Sequence, residues 1–168
     1  DFWRQKIGGV GQLKVGLAWR ETKGLYPDSG HRNIPYSTFA KIPAIDDIRF
    51  FALPLPSATN LSVDIESGCT IEMPEGPIDQ EGAFFDTMAI IDNLDLVIAA
   101  DSPFVNLAGA MGKETWTLID AIADWRWFSK LDETPWYPTM KLYRQTELGN
   151  WYGVMKRVIA DLEKRAQN

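Results

Sequence analysis

The chain has 168 residues, a formal net charge of −6, one cysteine and one histidine, with 45% hydrophobic and 12% aromatic residues that include seven tryptophans. A single domain of this length buries roughly 70% of its unfolded surface and needs no disulfide, and Cys69 alone cannot form an internal one. These numbers argue against a thiolate or multi-histidine metal cluster, against a basic nucleic-acid face and, with no apolar stretch near ~20 residues, against a membrane span.

The chain begins Asp1-Phe2-Trp3, without an initiator methionine or a signal-peptide pattern, and is expected to be a cytoplasmic piece of a longer polypeptide. Residues 1–12 read as the tail of a helix and a glycine loop. Gly8-Gly9-Val10-Gly11 precedes the first strand instead of following one, so it reads as an entry loop and not as a dinucleotide fingerprint. Leu13 to Trp19 is predicted as the first strand, 20–35 as a polar loop, Tyr36 to Ile42 as a short helix and Ile48 to Leu53 as the second strand. Proline and glycine punctuate 54–82, where only Cys69 to Met73 is strand-like.

Phe84 to Leu94 is predicted as an amphipathic helix, with apolar residues at 84, 85, 88 and 91. Leu96 to Ala100 is a continuous apolar run, expected of a strand covered on both faces. Pro103 to Met111 follows as a helix, stopped by Gly112. Thr115 to Ile119 is the next strand. Asp120 to Pro138 is an aromatic loop with room for one helical turn. Lys141 to Arg144 is the last strand, and Trp151 to Lys164 a closing helix with Val154, Val158, Ile159 and Leu162 inward. The alternation predicts one α/β domain over 1–168, a Rossmann-like parallel sheet with helices on both faces.

The segment around residue 101 carries the most chemistry. Pro103 suits the first helical position, Ser102 the N-cap, and the next N–H groups, unpartnered inside a helix, can receive an anion. Ligands of open parallel sheets bind at the carboxyl ends of the strands. Asp101 and Ser102 are therefore candidate ligand-binding residues, with strand termination and simple capping as the structural alternative. Asn106, one turn on, faces the same side; its amide has the choice of a ligand or the helix backbone. The loop after the first strand carries Arg20, Lys23, His31 and Arg32. Arg32 has the fork geometry to clamp a phosphate, or is a solvated surface charge. Lys113 complements a helix end. Trp125, Trp127, Trp136 and Tyr137 suit a stacking platform for a base or sugar, a seam against another domain, or satellite core packing.

Several pieces together resemble the carboxyl-terminal half of glycosyltransferase family 9, the heptosyltransferase group, as found at the end of bacterial tetratricopeptide-repeat proteins. They are Val15-Gly16-Leu17-Ala18-Trp19, Arg32-Asn33-Ile34-Pro35, the run Leu94 to Gly112, Asp124-Trp125-Arg126-Trp127, Pro135-Trp136-Tyr137-Pro138 and Leu142-Tyr143-Arg144-Gln145. The resemblance implies the donor half of a GT-B type enzyme. It implies metal-independent, inverting transfer of a sugar from a nucleotide-sugar, which is substrate and not cofactor, to an acceptor hydroxyl. The family's diphosphate-lining Asp-Thr-x-x-x-His segment falls on Asp101, Ser102 and Asn106. Asparagine replaces the histidine, and Pro103 removes one N–H. The donor-binding residues so implied are Asp101, Ser102, Pro103 and Asn106, with Arg32 as helper and Trp19 and Trp125 as walls. The family's catalytic base belongs to the other half, so no catalytic residue is assigned here. The implied partners are the nucleotide-sugar and tetratricopeptide repeats or another domain of the same chain. The alternative is a degenerate, non-catalytic module that packs beside such repeats.

Overall fold

The computed structural model describes residues 2–9, 11–19, 34, 36–39, 41–53 and 70–167. Helix α1 (Phe2–Ile7) leads into β1 (Leu13–Ala18), α2 (Tyr36–Phe39), β2 (Ile48–Ala52) and β3 (Ile71–Glu72). Then come α3 (Phe85–Asp92), β4 (Leu96–Ala100), α4 (Pro103–Ala110), β5 (Thr115–Ile119), a 3-10 turn (Trp125–Trp127), β6 (Met140–Arg144) and α5 (Trp151–Ala166). The six strands form one sheet in the order β3-β2-β1-β4-β5-β6, and every pairing is parallel. This is an α/β, Rossmann-like arrangement.

Strand side chains alternate between two layers. Val15, Leu17, Trp19, Phe50, Leu96, Ile98, Trp116 and Leu118 pack with Phe39 of α2 and with Trp151, Val154, Val158 and Leu162 of α5. Ala18, Phe51, Val97, Ala99, Ile119 and Leu142 face the other way, onto Trp3 and Ile7 of α1, Ile90 and Ile91 of α3, and Phe104, Val105 and Ala108 of α4. Both faces are thus covered, which is why every residue of β4 and β5 is buried and β4 reads as apolar throughout its length. Gly16 lets the Leu94 side chain approach β1: a Cβ there would lie 2.5 Å from Leu94 Cδ1.

Two helices differ from their sequence reading. The inward residues of α3 are Thr87, Ile90 and Ile91, while Phe84 sits outside the helix at φ 69° and Phe85 is exposed. Asp79 fixes this start: its carboxylate accepts from the N–H of Asp86 at 2.8 Å and from the Thr87 hydroxyl at 2.6 Å. In α5 the buried set is Trp151, Val154, Met155, Val158 and Leu162. Met155 takes the place expected of Ile159, which is only partly buried, because positions 151, 155, 158 and 162 form the stripe centred on the sheet. Among the described residues no helix is long and apolar enough to cross a membrane.

Candidate functional site

The strand order reverses between β1 and β4, so chains leaving these two neighbours travel to opposite sides of the sheet. A crevice forms at such a reversal, at the carboxyl ends of the strands. Trp19 directly follows β1, and Asp101, Ser102 and Pro103 directly follow β4. The register pairs Ala18 with Ala99, so the two chain exits lie side by side.

Ser102 stands at the N-cap of α4 in extended conformation, with φ −154° and ψ 171°, and Pro103 occupies the first turn. The Ser102 side chain makes no capping bond. Its Oγ is buried and has no hydrogen-bond partner among the described residues. A buried hydroxyl without a partner carries a desolvation penalty, and a ligand oxygen reaches this atom only when a neighbouring group moves aside. Asp101 and Ser102 are each 6% exposed, whereas Pro103 is exposed and marks the solvent side of the corner. Toward β5 the corner is closed: the space between Asp101, Leu118, Ile119, Asp120 and Ala123 does not admit a water.

Asn106 is committed within the protein. Its Nδ2 donates to Ser102 O at 3.1 Å, and its Oδ1 accepts from the Tyr137 hydroxyl at 3.3 Å. Of the two uses its sequence position allowed, the amide serves the helix backbone. Trp19 is 3% exposed, with its ring 6.0 Å from that of Phe39 in the α2/α5 layer; it is a core residue and not an open wall. Arg32 lies outside the described residues, as do Arg20, Lys23 and His31. Lys113 caps the neighbouring helix: its Nζ donates to Asp92 O at 3.0 Å and to Leu94 O.

Trp125 lines a groove of about 370 Å³ together with Asn106, Arg126, Trp127, Trp136 and Tyr137. The groove belongs to the β5–β6 crossover and reaches α4 at Asn106, one helical turn beyond Ser102. Asp124 caps the 3-10 turn by accepting from the Arg126 N–H at 3.1 Å and also holds Arg126 Nε at 2.9 Å. Trp127 is 1% exposed and anchors the turn in the core. Its partners Trp125 and Trp136 are 75% and 53% exposed. The Trp136 indole N–H donates to Arg126 O at 3.0 Å. The Tyr137 ring lies against Gly109, where a Cβ would come within 2.6 Å of it.

One arginine that the sequence reading passed over fixes this platform. Arg144, at the end of β6, donates from Nη2 to Trp127 O at 2.8 Å and to Leu131 O at 3.2 Å. Burial pushes its guanidinium pKa down from the usual arginine value, partly opposed by the negative charges of Asp132 and Asp120. Only its place in Leu142-Tyr143-Arg144-Gln145 pointed to it, and no local pattern announces two carbonyl partners over ten residues upstream.

No protein-family model matches the sequence. The chain is 28% identical over 163 residues to Protein FlbA of Caulobacter vibrioides, a likeness that takes in 95% of this chain and 27% of FlbA. The chain therefore spans little more than a quarter of that curated relative's length.

Proposed function

We propose that the chain is the nucleotide-sugar (donor) binding domain of a family 9-like glycosyltransferase of GT-B architecture, a part of a longer cytoplasmic protein that carries tetratricopeptide repeats or a second domain. The observation that carries this reading is the placement of Asp101-Ser102-Pro103 at the reversal of strand order, with a buried, unpartnered hydroxyl at the helix N-cap. Ligands of doubly wound sheets enter at that point, and the amino end of a helix favours anions.

In this reading the reaction needs little covalent chemistry from the domain. An acceptor hydroxyl displaces a nucleoside diphosphate from the anomeric carbon with inversion, and its proton passes to a base outside this chain. The first-turn N–H groups of α4 and the Ser102 hydroxyl hold the diphosphate oxygens, and these donors stabilise the charge that grows on the leaving group. The Asp101 carboxylate would repel a diphosphate in direct contact, so it stands beside the anion site and not on it. Arg32, which lies outside the described residues, keeps the helper role that the family resemblance implies. No metal is invoked.

The test is a thermal shift of the full-length protein with UDP-, GDP-, ADP- and CMP-sugars. A ligand at a hundred times its dissociation constant stabilises by about 2.7 kcal/mol, and Ser102→Ala should abolish most of the shift. A second reading, a non-catalytic module packed beside the repeats, draws on one observation: the amide at 106, where the family keeps a histidine, is spent on Ser102 O and Tyr137. Absence of a shift with all four donor classes decides for that reading.

A further inference from the structure

We infer that the aromatic groove of the β5–β6 crossover is a binding subsite for an uncharged pyranose ring, stacked on Trp125 and Trp136 and hydrogen-bonded by Arg126. The groove is formed before any ligand arrives. Trp127 is buried beneath it, Trp136 is tied to Arg126 O, Arg144 holds the carbonyls of Trp127 and Leu131, and Tyr137 rests on Gly109. On this fixed base Trp125 is three-quarters exposed and Trp136 half exposed. Exposed indoles beside each other mark a binding surface, and Trp136, tied to Arg126 O, meets its ordering cost before a ligand arrives.

The chemistry of the groove selects its occupant. Its one guanidinium is already paired with Asp124 through Nε at 2.9 Å, so the site carries no net charge and lacks the cationic excess that a phosphate or carboxylate requires. The Arg126 terminal nitrogens make no bond to a described residue, and a guanidinium that lines the groove offers planar donors to ring hydroxyls. A pyranose presents an apolar C–H face to an indole and hydroxyls around its rim, and this groove offers the complement of both. A nucleobase needs donors and acceptors aimed at its edge, but the amide at 106 is taken up by Ser102 O and Tyr137. The volume of about 370 Å³ is within the range of small-ligand sites. The sugar is either the transferred residue of the donor or the acceptor; the ring chemistry is the same. Only the assignment to one of these two rests on the donor-domain reading.

The test uses the full-length protein, with Trp125→Ala and Trp136→Ala as variants and an unchanged melting temperature as the check on folding. Tryptophan fluorescence is followed while methyl glycosides of glucose, galactose, mannose and N-acetylglucosamine, the free nucleotides UDP, GDP, ADP and CMP, and their nucleotide-sugars are titrated in. We expect at least a tenfold loss of affinity in Trp125→Ala for a sugar-bearing probe and none for a free nucleotide. Loss confined to a nucleotide-sugar makes the ring the donor's, and loss confined to a methyl glycoside makes it the acceptor's. Either supports the subsite. Saccharide affinity that neither substitution changes overturns it, as does an absence of saccharide binding. Acrylamide that fails to reach Trp125 in the intact protein also overturns it, because the groove is then a seam against another part of the chain. Saccharide binding without any nucleotide binding defeats the donor-domain reading and leaves the subsite standing.

Discussion

The β4–α4 corner and the β5–β6 crossover perform the same task, carrying the chain from one parallel strand to the next, with opposite materials. The first uses a regular helix with local punctuation: Pro103 opens it, and at its end Gly112, at φ 70°, lets Lys113 N–H reach Ala108 O at 2.9 Å and Gly112 N–H reach Gly109 O at 3.0 Å. The second has one 3-10 turn and is held by side chains from elsewhere, namely Trp127 in the core and Arg144 from β6. The corner buries its polar groups and leaves one hydroxyl unsatisfied. The crossover exposes Trp125 and Trp136, pairs the carbonyls of Arg126, Trp127 and Leu131, and leaves the buried Trp127 Nε1 unsatisfied. The eight-residue α4 is held by the face it packs, Phe104, Val105 and Ala108, so the corner before it is free to be chemically specialised. An irregular crossover depends on a few anchors, and its stability is concentrated in them.

The strongest way to break this contrast is to remove an anchor. Trp127→Ala empties a site that is 1% exposed and should cost about 3–5 kcal/mol, measured by urea denaturation. An exposed-indole substitution such as Trp125→Ala should be neutral by the same measurement. If the two variants lose equal stability, the crossover is held along its whole length and not at one point. The next largest effect tests the contact between the two regions. Gly109→Ala puts a Cβ 2.6 Å from the Tyr137 ring. Overpacking costs about 1–3 kcal/mol, against about 1 kcal/mol gained in helix propensity, so a net loss of about 1 kcal/mol is expected with a change in tyrosine fluorescence. A stabilised variant would mean that Tyr137 moves off α4 freely.

The same contrast explains what the sequence revealed. The strands were legible because runs such as Leu96–Ala100 are apolar without interruption, and α4 was legible because Pro103 and Gly112 act on their own neighbours. Asp101 and Ser102 emerged from that strand–turn–helix pattern. What failed depended on partners far along the chain. Of the apolar positions 84, 85, 88 and 91 only 91 is buried in α3, because Asp79, outside the helix, sets where the helix starts. Asn106 looked available until Tyr137, 31 residues later, claimed its oxygen. Lys113 serves α3 and not the helix it follows. The adjacency of β1 and β4 at this corner is a property of strand order, which no single segment encodes.

A smaller effect sharpens the account of the crossover's far end, where β6 is bolted to α5. The Asp161 carboxylate accepts from Lys141 Nζ at 2.7 Å and from the Tyr143 hydroxyl at 2.8 Å. The hydrogen bond from Lys141 lowers the Asp161 pKa from 3.8 to about 2, with Tyr143 adding to the shift against the cost of burial. Burial, then the bond to Asp161, pushes the tyrosine pKa up. A depressed carboxyl contributes stability that is complete above its unfolded value of 3.8 and lost as pH falls through about 2. A raised phenol contributes stability that is complete below its unfolded value of 10.0 and declines as pH rises above it. With Lys141 half exposed, Asp161→Asn should cost about 1 kcal/mol at neutral pH. Urea midpoints of the two proteins should converge toward pH 2; parallel curves would show that the pair contributes nothing.

A change in stability close to zero is also expected at Ser102, the residue on which the donor-binding reading rests. An N-cap serine normally contributes about 1 kcal/mol through its side-chain bond to the backbone. Ser102 makes no such bond, and its Oγ is buried without a partner. Replacing it with alanine removes an unsatisfied polar atom, so Ser102→Ala should change stability by less than about 0.5 kcal/mol, with a gain as acceptable as a loss. A natural cap that costs nothing to delete is retained for something other than the helix. If urea denaturation instead shows the full loss of a capping serine, the hydroxyl is bonded in solution and the corner is ordinary architecture. If stability holds while nucleotide-sugar binding falls at least tenfold, the same atom that the fold leaves idle is the one the ligand uses.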